Sequence, residues 1–402
     1  MGGSNLVLLC RKVADMNNIL ASSILPSDAE GATLISRIWD PVTQGPRVCL
    51  VSGEDLVDIT STIATVSLLA EDLGVLGGID LDTLQRWSIS ELADASSRQD
   101  TSKPHFLAPV DLQVVKACGV TFVGSLIERV IEEKCAGESD RADAVRAELF
   151  DVLGGSLKGV KPGSEHAMAV KKVLLEQGLW SAYLEVGIGP DPEVFTKAPV
   201  LSSVGWGAMV GIPSFSTWNN PEPELVLIIN SRGEAVGATL GNDVNLRDVE
   251  GRSALLLGKA KDNNAQSSLG PFIRLFDEKF TLETVSSEVI QLSVTGKDGF
   301  TMKGTNSVAE ISRTLPDLIK AVHGTYHQYP DGFALYTGTL FSPTDDRDVP
   351  GSGFTHKAGD RVEISSPHLG SLLNTTEETE KLKPWVFGIR QMFNYLTKIG
   401  AQ

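Results

Sequence analysis

Three carboxylates carry the strongest chemical signal in this chain. Glu222 and Glu224 in WNNPEPELVLIIN stand one residue apart, so on an extended strand their side chains point to the same side. Asp243, in GNDVNLRD, can reach that side from a returning strand. Magnesium and manganese prefer oxygen donors in an octahedral array, and a few carboxylates fix such an ion while leaving positions open for water or a chelating substrate. The residue types therefore outline a hard-cation site with the open coordination that Lewis-acid catalysis needs. Pro223 cannot donate to a strand ladder, which places the pair at a sheet edge or bulge, while LVLII directly after it reads as a buried strand. The carboxylates are expected where a strand enters the interior.

Such a site needs a scaffold, and 402 residues of which 42% are hydrophobic can bury a large core. Mean hydropathy is +0.01, as for an ordinary globular protein. Short β-type runs such as ATLISRIW and RVCLVSG, with a helical stretch near SLLAEDLG, make residues 31 to 104 a small α+β amino-terminal domain. Residues 1 to 30 read as an appendage containing a short amphipathic helix. The polar stretch SSRQDTSKPHFLAP reads as a linker into a second domain spanning 105 to 402. Within it, residues 137 to 178 read as a helical insertion of two helices, the second capped by Ser164 and stopped by Gly178. Beyond Pro190 the pattern is strands and Gly, Asn and Asp turns almost to the end, so β structure dominates. Ile389, Met392, Phe393 and Leu396 then form one apolar stripe on a last helix, expected to pack on the core or on another subunit.

Charge and cysteine usage exclude several function classes. With 35 basic against 51 acidic residues the formal charge is -16, which repels phosphate backbones and anionic membrane surfaces. No nucleic-acid or membrane partner is expected. Cys10, Cys49, Cys118 and Cys135 show no CxxC spacing and fit buried thiols of a reducing compartment. No apolar run reaches the length of a membrane span and no signal-like leader is seen, so a cytoplasmic protein is expected.

An ordered series of segments, FLAP, CGVTF, PEVFTKAP, PEPELVL, GNDVNLRD, LGPF, YTGT, AGDRVEI and LGSLLN, resembles the fumarylacetoacetate hydrolase superfamily over roughly residues 107 to 375. WNNPEPELVL and CGVTF look most like its 2-keto-3-deoxy-pentonate (arabinonate or xylonate) dehydratase branch. The resemblance implies a mainly β, α+β fold with a β-sandwich or roll catalytic domain, and a homodimer or homotetramer. It also implies a bound divalent cation, magnesium with manganese as an alternative, held by Glu222, Glu224 and Asp243. A lysine ahead of the LGP segment falls on Lys261 or Lys259, with Lys261 preferred by counting back from Leu269. Beside the cation it would support an enolate. The carbon-carbon hydrolases of the superfamily use a histidine and a glutamate to activate water; here Ser125 stands at the histidine position and Glu128 at the glutamate. Serine is no base near neutral pH, and His166 in the helical insertion reads as a surface or packing residue. The dehydratase resemblance instead places a catalytic glutamate at Glu193, with Lys197 neutralising the substrate carboxylate and Thr339 contacting substrate. Arg247 and Asp248 read as a local pair, and Glu250 stands where several hydrolases carry glutamine.

The expected reaction is loss of water from a 2-keto-3-deoxy sugar acid through a metal-stabilised enolate, giving 2,5-dioxopentanoate from a pentonate. Glu193 is the first candidate base and Glu128 the second, with Lys261 assisting. The alternatives are an acylpyruvate or fumarylpyruvate hydrolase, an oxaloacetate decarboxylase, or a non-catalytic sugar-acid binding protein. Absence of the histidine from the hydrolase dyad argues against the first, and the joint presence of triad and lysine against the last.

Overall fold

A computed structural model describes residues 19–122, 126, 160–178, 180–341, 343, 345–348 and 353–400. Eighteen strands are assigned among them. β1 (Leu34–Asp40), β2 (Gly45–Ser52), β3 (Asp55–Asp58) and β4 (Arg86–Ser88) form a meander. β5 (His105–Leu107), β6 (Val114–Gly119), β7 (Glu193–Ala198), β8 (Met209–Ile212) and the short β9 (Asn219–Asn220) follow. Next come β10 (Pro223–Ile229), β11 (Ala235–Asp243), β12 (Asn245–Leu246) and β13 (Ser267–Leu275). β14 (Val289–Thr295), β15 (Thr301–Ser307), β16 (Phe333–Tyr336), β17 (Arg361–Ser366) and β18 (Gly370–Glu378) complete the set.

Two sheets carry the fold. The larger runs β4-β3-β2-β1-β13-β11-β10-β16-β6-β7, with β5 paired to β1; the smaller runs β15-β14-β17-β18-β8. The difference between their strands is written in the residues. β14 alternates apolar and polar side chains, burying Ile290, Leu292 and Val294 while its other face meets solvent. β10 reads LVLII because both of its faces are covered. Leu225, Leu227 and Ile229 join the core shared with Ile290, Leu292, Val362 and Ile364 of the smaller sheet. Val226 and Ile228 turn the other way, into a second core with Ile35, Ile273 and Tyr336. That second core is roofed by the helix Val66–Glu71. Asp111 fixes the roof, accepting the first two helix amides, Val66 N and Ser67 N, at 2.6 and 3.0 Å.

Two expectations change. Pro223 marks no sheet edge: it is the first residue of β10, which lies between β11 and β16, and a strand's first position tolerates a missing N–H. The segment around residues 98–107 is no loose linker, since β5 pairs with β1 and Phe106 N donates to Ser96 Oγ at 2.8 Å. The apolar stripe of the last helix, Ile389–Ile399, divides: Met392 is buried together with Tyr395, whereas Ile389 and Phe393 are 51% and 67% exposed. The sheet also runs across the expected boundary near residue 104, because β1 pairs with β13. Ser164 caps the helix Glu165–Glu176 as expected, accepting from Ala167 N, and Gly178 ends it with φ +68. The insertion's first helix, around 139–155, and the helix expected within residues 1–18 lie outside the described residues. Among the described residues no helix is long and apolar enough to cross a membrane.

Candidate active site

Central strands of the larger sheet bring the three carboxylates together. Pro223 pairs with Asn242, so Glu222 meets Asp243 across the ladder and Asp243 N donates to Glu222 O at 3.0 Å. Glu222, Glu224 and Asp243 each place an oxygen within 4.8 Å of the others, and all three residues are buried. Buried hard oxygen donors in this arrangement suit a divalent cation such as magnesium or manganese.

Each carboxylate has an assigned anchor. Glu222 accepts from Asn245 Nδ2 at 3.1 Å and from Lys261 Nζ at 2.6 Å. Lys261 Nζ also donates to Asp243 Oδ2 at 3.1 Å. Glu224 Oε2 accepts from the Gly338 N–H at 2.7 Å. Gly338 has φ +94, and a Cβ there would lie 2.0 Å from Thr121 Oγ1, so only glycine presents its amide to Glu224 this way. Burial pushes the Glu224 carboxyl well above its ordinary pKa, and the neighbouring Asp243 and Glu222 push it further. Burial alone would raise Asp243 too, but Lys197 and Lys261 outweigh it and hold that group low. Lys261 loses ground to burial and regains more from Asp243, Glu222 and Glu250, so it stays firmly charged.

The cleft above this floor is walled on one side by β6 and β7. Glu193, the first residue of β7, faces it half-buried, opposite Gly119 at the end of β6. The contact is close: a Cβ on residue 119 would come within 1.7 Å of Glu193 Oε2. Cys118, Val120 and Phe195 complete this wall, and Lys261 Nζ lies 5.6 Å from the centre of the Phe195 ring. Val120 adopts φ +53, rare for a β-branched residue, as the chain turns away at the end of β6. Glu250 and Thr339 line the remaining sides.

The structure thus gathers Glu222, Glu224, Asp243, Lys261, Glu193 and Thr339 around one cleft. It separates the two lysine candidates, since Lys259 is exposed and rests 4.1 Å from the Phe215 ring centroid. Lys197 lies deeper than the others. It is only 1% exposed, does not line the cleft, and pairs with Asp243 Oδ1 at 2.7 Å while donating to Val244 O at 3.0 Å. Its ammonium is thus occupied by Asp243 and a backbone carbonyl. His166 is exposed on its helix, and Ser125 and Glu128 lie outside the described residues. Asp248 accepts from Ser216 Oγ and Thr217 N at 2.8 and 2.7 Å, and Arg247 stacks 4.2 Å over the Trp218 ring. Asn245, Gly119 and Gly338 escaped the sequence reading. Asn245 could have been found, because NDVN puts it two residues after Asp243; the glycines declare themselves only through contacts distant in sequence.

The family model described as fumarylacetoacetate (FAA) hydrolase C-terminal matches residues 167–377. A 2-dehydro-3-deoxy-D-arabinonate dehydratase of Saccharolobus solfataricus is 29% identical over 191 residues, covering 48% of this chain and 60% of that protein. A probable 2-keto-3-deoxyxylonate dehydratase of Haloferax volcanii is 31% identical over 203 residues, covering 50% of this chain and 65% of that protein. Each alignment therefore spans less than two thirds of the relative's own length. A solved structure of 2-keto-3-deoxy-D-arabinonate dehydratase complexed with magnesium and 2,5-dioxopentanoate superimposes with a TM-score of 0.59 at 20% identity. That likeness covers 86% of this chain and 99% of the other, and establishes a shared fold.

Proposed function

This chain belongs to the fumarylacetoacetate hydrolase family, and from that premise we propose that it is a magnesium-dependent dehydratase converting a 2-keto-3-deoxy-pentonate to 2,5-dioxopentanoate. The observation that carries the reading is the buried triad Glu222, Glu224 and Asp243 with Lys261 bridging two of its members and Glu193 facing the same cleft. The named activities of the two sequence relatives support this choice of reaction.

The triad would hold magnesium, with manganese able to substitute, and the ion would supply a Lewis acid that draws electron density from the 2-keto group and so acidifies C3. Glu193 takes the C3 proton. The C4–O bond breaks, and the hydroxyl leaves as water with a proton delivered in the cleft, where Lys261 supports the developing negative charge. The 5-hydroxy enone that remains moves one proton from C5 to C3, giving a C4–C5 enol, whose hydroxyl proton then passes to C4 to leave the aldehyde, so the balance is one substrate to one product and one water. Lys197 keeps Asp243 ionised and oriented throughout, and Thr339 borders the substrate. Glu128 remains the second candidate for the base.

Glu193, Glu222, Glu224, Asp243 and Glu250 converge on the cleft with Lys261 as its cation among the described residues. A second carboxylate or a phosphate on the substrate would meet repulsion there, which supports a monoanionic sugar acid over oxaloacetate or fumarylpyruvate. The protomer is proposed to assemble as a homodimer or homotetramer, supported by the exposed Trp385, Val386, Ile389 and Phe393. Residues 31–104 are proposed as an amino-terminal domain set on the catalytic domain 105–402, and the buried free thiols of Cys49 and Cys118 support a cytoplasmic location. The deciding assay is aldehyde formation from 2-keto-3-deoxy-pentonate with magnesium and after chelation, beside oxaloacetate and an acylpyruvate. Magnesium-dependent 2,5-dioxopentanoate is the expected result; turnover of the dicarboxylates alone would overturn the reading.

A further inference from the structure

The connection from β15 to the helix Leu315–Val322 contributes no group to the cleft, yet it grips both strands of the wall. Ile311 bridges to Phe122. Ser312 donates twice to Thr121 O, through its backbone N at 2.8 Å and its Oγ at 2.9 Å. Arg313, 8% exposed, sends its guanidinium to three backbone carbonyls: Val186 O at 2.9 Å, Gly189 O at 2.8 Å and Pro190 O at 3.2 Å.

Those carbonyls belong to the end of the helix Ala182–Ile188 and the turn after it. A helix terminus leaves carbonyls without intrahelical donors, and their partial negative charge suits a buried cation with several planar donors. Only Asp191 and Pro192 separate the last of them from Glu193, and proline fixes its own φ, so the spacer has little freedom. The grip on 186–190 therefore sets where β7 begins. On the facing strand, Ser312 fixes Thr121, whose hydroxyl donates to Thr337 O at 2.8 Å, next to the Gly338 amide that holds Glu224.

We propose that Arg313 is a positioning residue for Glu193, setting the distance of that carboxylate from the substrate's C3 through the turn 186–190. The inference rests on the reading of Glu193 as the base. A carboxylate displaced by about 1 Å costs on the order of 100-fold in rate.

Arg313→Met, Arg313→Lys, Glu193→Gln and the double variant Arg313→Met/Glu193→Gln provide the test, with kcat and KM for dehydration and magnesium affinity by calorimetry. Arg313→Met should lower kcat about 100-fold with KM changed by less than about threefold and magnesium affinity unchanged. Added to Glu193→Gln, the same substitution should cost less than about twofold, because there is no longer a base to position. A second loss of about 100-fold in that background, a parallel loss of magnesium affinity, or unchanged kcat in Arg313→Met would overturn the proposal. Should Arg313→Met fail to fold by circular dichroism, Arg313→Lys takes its place in the cycle, with partial recovery of kcat on adding free guanidinium as the expected result and none as the contrary one. Deuterium exchange at C3 of 2-oxopentanoate, followed by NMR, reads proton abstraction without dehydration. Wild-type protein that exchanges C3 of 2-oxopentanoate but forms no aldehyde from 2-keto-3-deoxy-pentonate would count against the dehydratase reading, and the exchange rates of the variants would still decide on Arg313.

Discussion

The floor and the wall of the cleft are held by different means. Glu222, Glu224 and Asp243 stand on or beside strands in the middle of the larger sheet, where ladder bonds on both sides and two apolar cores fix the backbone. Glu193 starts β7, which among the described residues pairs with β6 alone, and its carboxylate lies against one glycine. The floor is a binding constellation that tolerates no movement; the wall is placed by a few specific contacts from distant segments. Positions that hold an ion are thus built into the core, and the position that moves a proton is adjusted from outside it.

The largest effect should come from the floor. Asp243→Asn removes a charge from the triad and leaves Lys197 and Lys261 without their shared partner, so aldehyde formation should fall about 10⁴-fold and magnesium affinity should drop with it. Calorimetry beside the rate assay checks both; intact magnesium binding in this variant would break the contrast. An intermediate effect should come from the wall. Gly119→Ala drives a methyl group into the Glu193 carboxylate, which can swing away more easily than backbone can. Its kcat should fall about 100-fold while the melting temperature and magnesium affinity stay near wild type. Loss of metal affinity in Gly119→Ala would show that floor and wall are one unit.

A third, smaller effect serves as a control remote from the cleft. Burial alone would raise the pKa of Asp360, but hydrogen bonds from His356 and Arg347 outweigh it and bring it down to about 2. A carboxyl that is more acidic folded than unfolded stabilises the fold above its unfolded pKa of about 3.9 and loses that contribution as pH falls through its folded value. The stability gap between wild type and Asp360→Asn should therefore be about 2 kcal/mol at neutral pH and close between roughly pH 4 and pH 2 in urea titrations. A gap that persists at pH 2 would mean that packing, and not this charge, sets the difference.

The same contrast explains what could be read in advance. The floor was legible because its information is local: a two-residue spacing, a returning strand and a donor set fix the chemistry within about twenty residues of sequence. Pro223 misled because a proline signals either an edge or a strand's first residue, and only the neighbours of β10 decide. Lys197 shows the same limit, because sequence gives its charge and not its burial; one residue after the exposed Thr196 of β7 it is already buried beside Asp243. The wall was legible only at Glu193, and only through family likeness, since Gly119, Gly338 and Arg313 act on segments tens to more than one hundred residues away. The last helix was found, but how its apolar positions divide was not: contact with the β1–β2 turn buries Met392 and Tyr395 and leaves Ile389 and Phe393 facing outward.

The insertion of β13 between β1 and β11 also bears on how the molecule comes into being. During synthesis the meander β1 to β4 emerges long before the strand that completes it, and β5 covers only Arg37 to Trp39 of the waiting edge. On that edge Leu34 and Ile35 wait for β13, although Ile35 already faces Leu50 of β2 on the other side. Pairing so distant in sequence makes folding slow and leaves an apolar edge open to other nascent chains. The yield of active protein is then decided by how fast the middle of the chain arrives and by what shields its beginning in the meantime.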